Sequence, residues 1–272
     1  MFFYRIQIYE NSQNKQINIY ENTLFYYNFN DFRLKNRLIK MECLYLEDFS
    51  IGDLTPTVPG QEQKHLKALR IKNGEEILVT NGKGLVALCR VSYDKNWNPS
   101  LEVKELYENY GEIKFNFSLW VCNLHHKDRL ETIVEKATEL GAVEVFIPIC
   151  QYSQTNKIDL IRLNKIAVSA MKQSRRANLL KLTPIFDLNL KEEIFNKFKY
   201  IILLDENGEK PLNTRIEGDT LILVGPEGGF HQDELDQFGI IPNLQKWYLG
   251  PRRLRTETAA IKALSILTSM NE

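Results

Sequence analysis

The sequence predicts an α/β domain preceded by a smaller all-β domain, and three observations carry that reading. The apolar runs FNFSLWVC, VEVFIPI, YIILL and TLILVG are of strand length and nearly uninterrupted, as in a parallel sheet covered on both faces. Between them the chain switches to helical spacing. Upstream, EEILVT and LVALCRVSY alternate and are rich in β-branched residues on either side of Asn81-Gly82-Lys83-Gly84, which marks a hairpin.

Taken in order, residues 1–40 are rich in Asn, Tyr, Phe and Ile and differ from everything after them. They read as an N-terminal extension, either not native to the protein or a genuine arm. Residues 41–110 carry the short strands of a small β-barrel, and an acidic, Tyr-containing linker leads into residues 111–272, the α/β domain. A helix from Lys127 sets Leu130, Ile133, Val134, Ala137 and Leu140 on one stripe and stops at Gly141. Within Ile158 to Lys181, Arg162, Lys165, Lys172 and Arg176 fall inside an arc of roughly 80° on a helical wheel. That basic ridge is either a solvated face or a phosphate-contacting surface. The last helix, from Thr256 to about Met270, is apolar around most of its circumference and is expected to be buried, partly against a second subunit.

Composition excludes several classes. Lys and Arg total 35 and so do Asp and Glu, so no global basic field draws nucleic acid and any such contact must be local. The four cysteines, Cys43, Cys89, Cys122 and Cys150, are widely spaced, which argues against a zinc site or a disulfide framework and for a cytoplasmic location. No apolar run approaches the length of a membrane span. No metal site is expected. His125 and His126 would point to opposite faces of an extended segment, and His65 and His231 are isolated.

Two Gly-Pro loops near the C-terminal end, LILVGPEGGF and YLGPRRLRTETAA, each close a short apolar run. Glycines there let another molecule approach the backbone, so the two loops read as one small-molecule pocket. A phosphate loop would supply a lysine, whereas this one carries Glu227 and is followed by Asp233 and Glu234 in the first turn of a helix. A ligand with hydroxyls and positive charge fits better. S-adenosylmethionine, with its sulfonium, amino group and ribose diol, is such a ligand.

In order and position, GPEGG (Gly225 to Gly229) and the string Leu249, Gly250, Arg252, Leu254, Arg255, Glu257, Thr258, Ala259 resemble the RsmE family of 16S ribosomal RNA uracil-N3 methyltransferases. That family belongs to the SPOUT (trefoil-knot) superfamily. Further upstream, KDRLETIVEKATELGAVEVFIPI and QSRR (Gln173 to Arg176) are similar to its helix-strand and Q-S-x-R segments. The resemblance implies a knotted α/β methyltransferase domain behind a PUA-like RNA-binding β-barrel, S-adenosylmethionine as cofactor, and a homodimer acting on 16S ribosomal RNA in the small ribosomal subunit. It places the cofactor among Leu204, Val224, Gly225, Glu227, Gly228, Gly229, Leu249, Gly250 and Leu254. RNA would meet His65, Lys67 and Arg70, the ridge with Arg175, and Arg252. Arg253 stands where the family has an aliphatic residue and receives no inherited role.

Methylating uracil N3 requires loss of the imide proton and stabilisation of charge spreading onto O2 and O4. Arg255 is the candidate oxyanion stabiliser, and Glu257 the candidate base or arginine orienter. Internal pairing of Arg252, Arg253 or Arg255 with Glu257 or Glu227 is the competing reading. Two other functions stay open: a related enzyme acting on a different RNA, and a ribosome-assembly factor without catalysis, for which degraded glycine loops would be expected.

Overall fold

The computed structural model describes residues 41–153, 157–188, 191–211 and 216–271, together with the backbone of three short N-terminal strands. Those strands are β1 (Arg5–Gln7), β2 (Gln16–Tyr20) and β3 (Thr23–Phe25). The expectation that residues 1–40 are a separable extension otherwise lies outside the described residues. The chain divides into two compact units, Met1–Glu112 with Met171–Leu179, and Ile113–Ala170 with Leu180–Glu272.

The first unit is a seven-stranded, mostly antiparallel sheet ordered β1-β3-β2-β7-β6-β5-β4. It uses β4 (Cys43–Tyr45), β5 (Glu76–Thr80), β6 (Leu85–Tyr93) and β7 (Pro99–Glu108). The expected hairpin joins β5 to β6, and Asn81 Oδ1 accepts from the amides of Lys83 and Leu85 to shape its turn. Alternation sends Ile77, Val79, Ala87, Cys89 and Val91 into one apolar cluster and Leu78, Val86 and Leu88 into another. Leu66 of α1 (Gly60–Leu69) joins the first cluster, and Ala177 joins the second.

The second unit is built on a six-stranded sheet, all parallel, ordered β10-β9-β8-β12-β11-β13. Its central strands β8 (Phe117–Val121) and β12 (Thr220–Val224) are buried along their whole length, as their unbroken apolar runs require. Ahead of both, Asn116 donates through its amide and side chain to the Asp219 carboxylate, at 2.9 and 3.0 Å. Around them lie β9 (Glu144–Pro148), β10 (Lys181–Ile185), β11 (Tyr200–Glu209) and β13 (Leu244–Trp247). The chain leaves β8 toward β9 on one side and later returns to β12 on the other. Such a switch point opens a crevice at the carboxyl ends of the strands.

Among the described residues five further helices follow: α2 (Lys127–Glu139), α3 (Leu160–Ser174), α4 (Lys191–Phe195), α5 (Gln232–Gly239) and α6 (Thr256–Ser269). Helix α2 buries Leu130, Ile133, Val134 and Ala137 of the expected stripe, leaves Leu140 half-buried at its cap, and ends where Gly141 takes φ 84°, a conformation that costs a side chain about 1–2 kcal/mol. Helix α6 packs one face on α2, β8 and β12, burying Ala260, Ala263, Leu264 and Leu267, while Ile261, Ile266 and Met270 stay half-exposed. The small residues on the buried side let it lie close to the sheet. Full burial of a leucine there contributes about 1.5–3 kcal/mol.

Two further expectations are corrected. Cys122 and Cys150 form a disulfide with Cα atoms 5.6 Å apart. Each follows the carboxyl end of its strand, and β8 and β9 are adjacent and parallel, so wide sequence spacing became spatial contact. His125 and His126 lie edge-on with ring centroids 5.0 Å apart, because the chain bends there into α2. Among the described residues no helix is long and apolar enough to cross a membrane.

Candidate active site

A cleft of about 1040 Å³ opens at the carboxyl ends of β11 and β12. The first Gly-Pro loop forms one wall, with Val224, Gly225, Glu227, Gly228 and Gly229. Leu204 at β11 and Leu254 ahead of α6 also line it. Leu249 and Gly250 do not. Their part is indirect, since Lys262 Nζ of α6 donates to the Leu249 carbonyl at 2.6 Å and anchors the second loop.

Gly229 shows why the loop needs glycine. It adopts φ 78°, its amide closes a turn on the Pro226 carbonyl at 2.9 Å, and a Cβ built there would meet nothing within 4 Å. A side chain would therefore project into open space beside the cleft wall. After the loop, α5 begins with a reciprocal cap: His231 Nδ1 accepts from the Asp233 amide, and Glu234 accepts from the His231 amide. The second Glu234 oxygen accepts from the Gln151 amide, so this carboxylate is spent on structure.

The lining is acidic, with Asp205, Glu206, Glu227 and Asp236 against Lys246 and Arg253. Lys246 Nζ sits 3.0 Å from Asp205. Burial works to raise the Asp205 carboxyl, yet hydrogen bonds from the Asn207 amide and Lys246 outweigh it and hold the group below its usual range. An acidic cleft with a glycine wall suits a cationic ligand carrying hydroxyls, the chemistry of S-adenosylmethionine.

Four residues at or beside the cleft escaped the sequence. Arg253 reaches the Glu227 carbonyl at 3.5 Å. Asp205 and Lys246 come together because β11 and β13 are neighbours. Arg129 of α2 donates from Nη1 to Glu227 at 2.8 Å, and its Nε lies 4.0 Å from Glu257. The second oxygen of Glu257 is buried without a hydrogen-bond partner. Both carboxylates thus turn to Arg129, and the internal pairing weighed for Arg252 and Arg255 is absent among the described residues. Those two arginines are exposed, Arg255 at the cap position of α6.

The basic ridge is corrected. Helix α3 ends at Ser174, and Arg175 turns left-handed (φ 59°) and donates to the Met41 carbonyl, so Arg176 leaves the helix. Arg176 is 2% exposed and pairs with Glu112 at 2.6 Å. Lys172 pairs with buried Glu62 at 2.8 Å, and Arg162 Nη2 with Glu131 at 2.7 Å. Lys165 is exposed. In α1, His65 is half-buried and Lys67 exposed, with Arg70 exposed at the helix end.

Comparison with known proteins agrees with this architecture. The family model for an RNA methyltransferase domain matches residues 115–268, and that for an RNA methyltransferase PUA domain matches residues 58–96. Ribosomal RNA small subunit methyltransferase E of Aquifex aeolicus is 31% identical over 214 residues, spanning 76% of this chain and 90% of that protein. Its counterpart from Bacillus subtilis is 28% identical, over 80% of this chain and 91% of the relative. The crystal structure of the Neisseria gonorrhoeae enzyme of that name, bound to S-adenosyl methionine, superposes with a TM-score of 0.71 at 26% identity, covering 84% of this chain and 97% of that one. The chain belongs to the ribosomal RNA small subunit methyltransferase E family.

Proposed function

We propose that this protein methylates N3 of a specific uridine in 16S ribosomal RNA, near the decoding centre of the small subunit, using S-adenosylmethionine. The observation that carries the reading is the convergence of the Gly225–Gly229 loop and the Leu254–Ala259 segment on one acidic cleft in a chain of this family. When bound there, S-adenosylmethionine supplies an electrophilic methyl group on a cationic sulfur.

The chain's own residues do the rest. Glycines 225, 228 and 229 admit the cofactor against the backbone, and the acidic lining complements its positive charge. Arg255, exposed at the start of α6, is the candidate to stabilise charge developing on the uracil oxygens once the imide proton leaves. Glu257 carries a carboxylate oxygen with no hydrogen-bond partner and is the candidate to accept that proton or to orient the arginine. Substrate N3 must be unpaired to be reached. Lys165, Arg252 and the α1 residues His65, Lys67 and Arg70 are the candidate RNA contacts, while the half-exposed Ile261, Ile266 and Met270 of α6 offer a face for a second subunit. The reading carries a cytoplasmic location with it.

Mass spectrometry of 16S ribosomal RNA from cells with and without the gene tests the proposal. N3-methyluridine present only with the gene is the expected result. Its persistence in the deletion strain, or a methyl group found on ribose or carbon, overturns it.

A further inference from the structure

We infer that Arg129 is the positioning residue of the cofactor cleft: one guanidinium that holds Glu227 of the first glycine loop and Glu257 of α6 together. The inference rests on the proposed cofactor reading. Arg129 comes from α2, a helix anchored by buried Leu130, Ile133 and Val134, so its base does not move with either loop. Its Nη1 bonds Glu227 at 2.8 Å and its Nε stands 4.0 Å from Glu257. The side chains of Arg129, Glu227 and Glu257 are 19%, 31% and 15% exposed, so water screens this cluster weakly.

Both segments it joins matter to the cleft. Glu227, Gly228 and Gly229 line one side, and Thr256 and Ala259, flanking Glu257, line another. Remove the cation and the Glu227 and Glu257 carboxylates lose the positive charge they share. They repel, and the wall they sit on separates from the start of α6. The guanidinium fork suits this task because it presents several N–H donors in fixed directions, which a lysine point charge does not.

The experiment measures S-adenosylmethionine binding by calorimetry for the wild type, Arg129→Gln, Arg129→Lys, Glu257→Gln and the Arg129→Gln/Glu257→Gln pair. Amide hydrogen exchange of residues 225–230 in the free proteins gives a readout that needs no cofactor. Arg129→Gln should weaken binding about tenfold or more, as expected when charged acceptors lose a shared donor. Arg129→Lys should recover part of that loss. Exchange in the loop should rise in Arg129→Gln, and the double variant should bind no worse than Arg129→Gln alone. Unchanged loop exchange and affinity in Arg129→Gln, or strictly additive losses, overturn the inference. If Arg129→Gln does not fold, the same cycle built on Arg129→Lys decides it by the same criterion of additivity. A wild type that fails to bind S-adenosylmethionine would instead sink the cofactor reading, while the exchange comparison would still judge the clamp.

Discussion

Thr256 Oγ1 donates a hydrogen bond to the carbonyl of Gly225 at 3.1 Å, tying the first residue of α6 to the glycine loop that follows β12. The hydroxyl is buried, and the two residues both line the cleft. Thr256→Val keeps the shape and strands the carbonyl, which costs about 1–3 kcal/mol. Calorimetry should show S-adenosylmethionine affinity falling several-fold in Thr256→Val and close to wild type in Thr256→Ser. Equal behaviour of the two would mean that the hydroxyl does not support the wall.

Gly229→Leu should remove cofactor binding while the fold survives. The left-handed backbone costs a leucine about 1–2 kcal/mol, and with no atom within 4 Å of its Cβ the side chain has room to occupy the open space beside the cleft wall. Circular dichroism should be native-like with a lowered Tm. Cofactor affinity equal to wild type would take this loop out of the site.

Two members of the supposed ridge, Arg176 and Lys165, should behave oppositely. Arg176→Ala leaves Glu112 without its buried partner, a loss of about 3–5 kcal/mol in denaturant titrations. Lys165→Gln should leave stability unchanged, weaken binding to small-subunit RNA and flatten its salt dependence. Arg255→Gln should lower turnover more than RNA affinity. A common profile for Lys165 and Arg255 variants would refute the division of roles.

Cys43 should resist thiol reagents. Burial pushes its thiol from 9.0 up to about 12, against the smaller downward pull of Lys172 and Arg175. Iodoacetamide at pH 8 should therefore label neither Cys43 nor the equally buried Cys89 until denaturant is added. The sign for stability follows from the raised folded value. Below pH 9 both states keep the proton and nothing changes. Between 9 and 12 the unfolded chain ionises while the folded one does not, so stability falls as pH rises. Cys43→Ala should show a shallower decline over that range.

How much of this was legible depended on whether a residue's role is local. Strands β8, β9 and β12 announced themselves because burial on both faces leaves an unbroken apolar run. Edge strands β10 and β13, KLTPI and LQKW, did not, since one side of each needs no partner. The cleft wall was readable through its glycines, whose backbone demands are visible in sequence. Arg129 was not, because its partner Glu227 lies 98 positions away and only the strand order brings them together. The ridge misled for a conformational reason: a helical wheel cannot foresee that Arg175 turns left-handed and delivers Arg176 to Glu112.

The Asn116–Asp219 bonds that open the central strand pair span 103 positions of chain. Closing so long a loop is slow, whereas β8, β9 and β10 assemble from near neighbours. During synthesis, a partial sheet can therefore exist with its β12 edge exposed, and the cleft can form only once β12 has docked and α6 has folded over it. A chain stalled before Thr256 lacks both the hydroxyl that holds the Gly225 carbonyl and the part of the cleft wall that Thr256 and Ala259 supply.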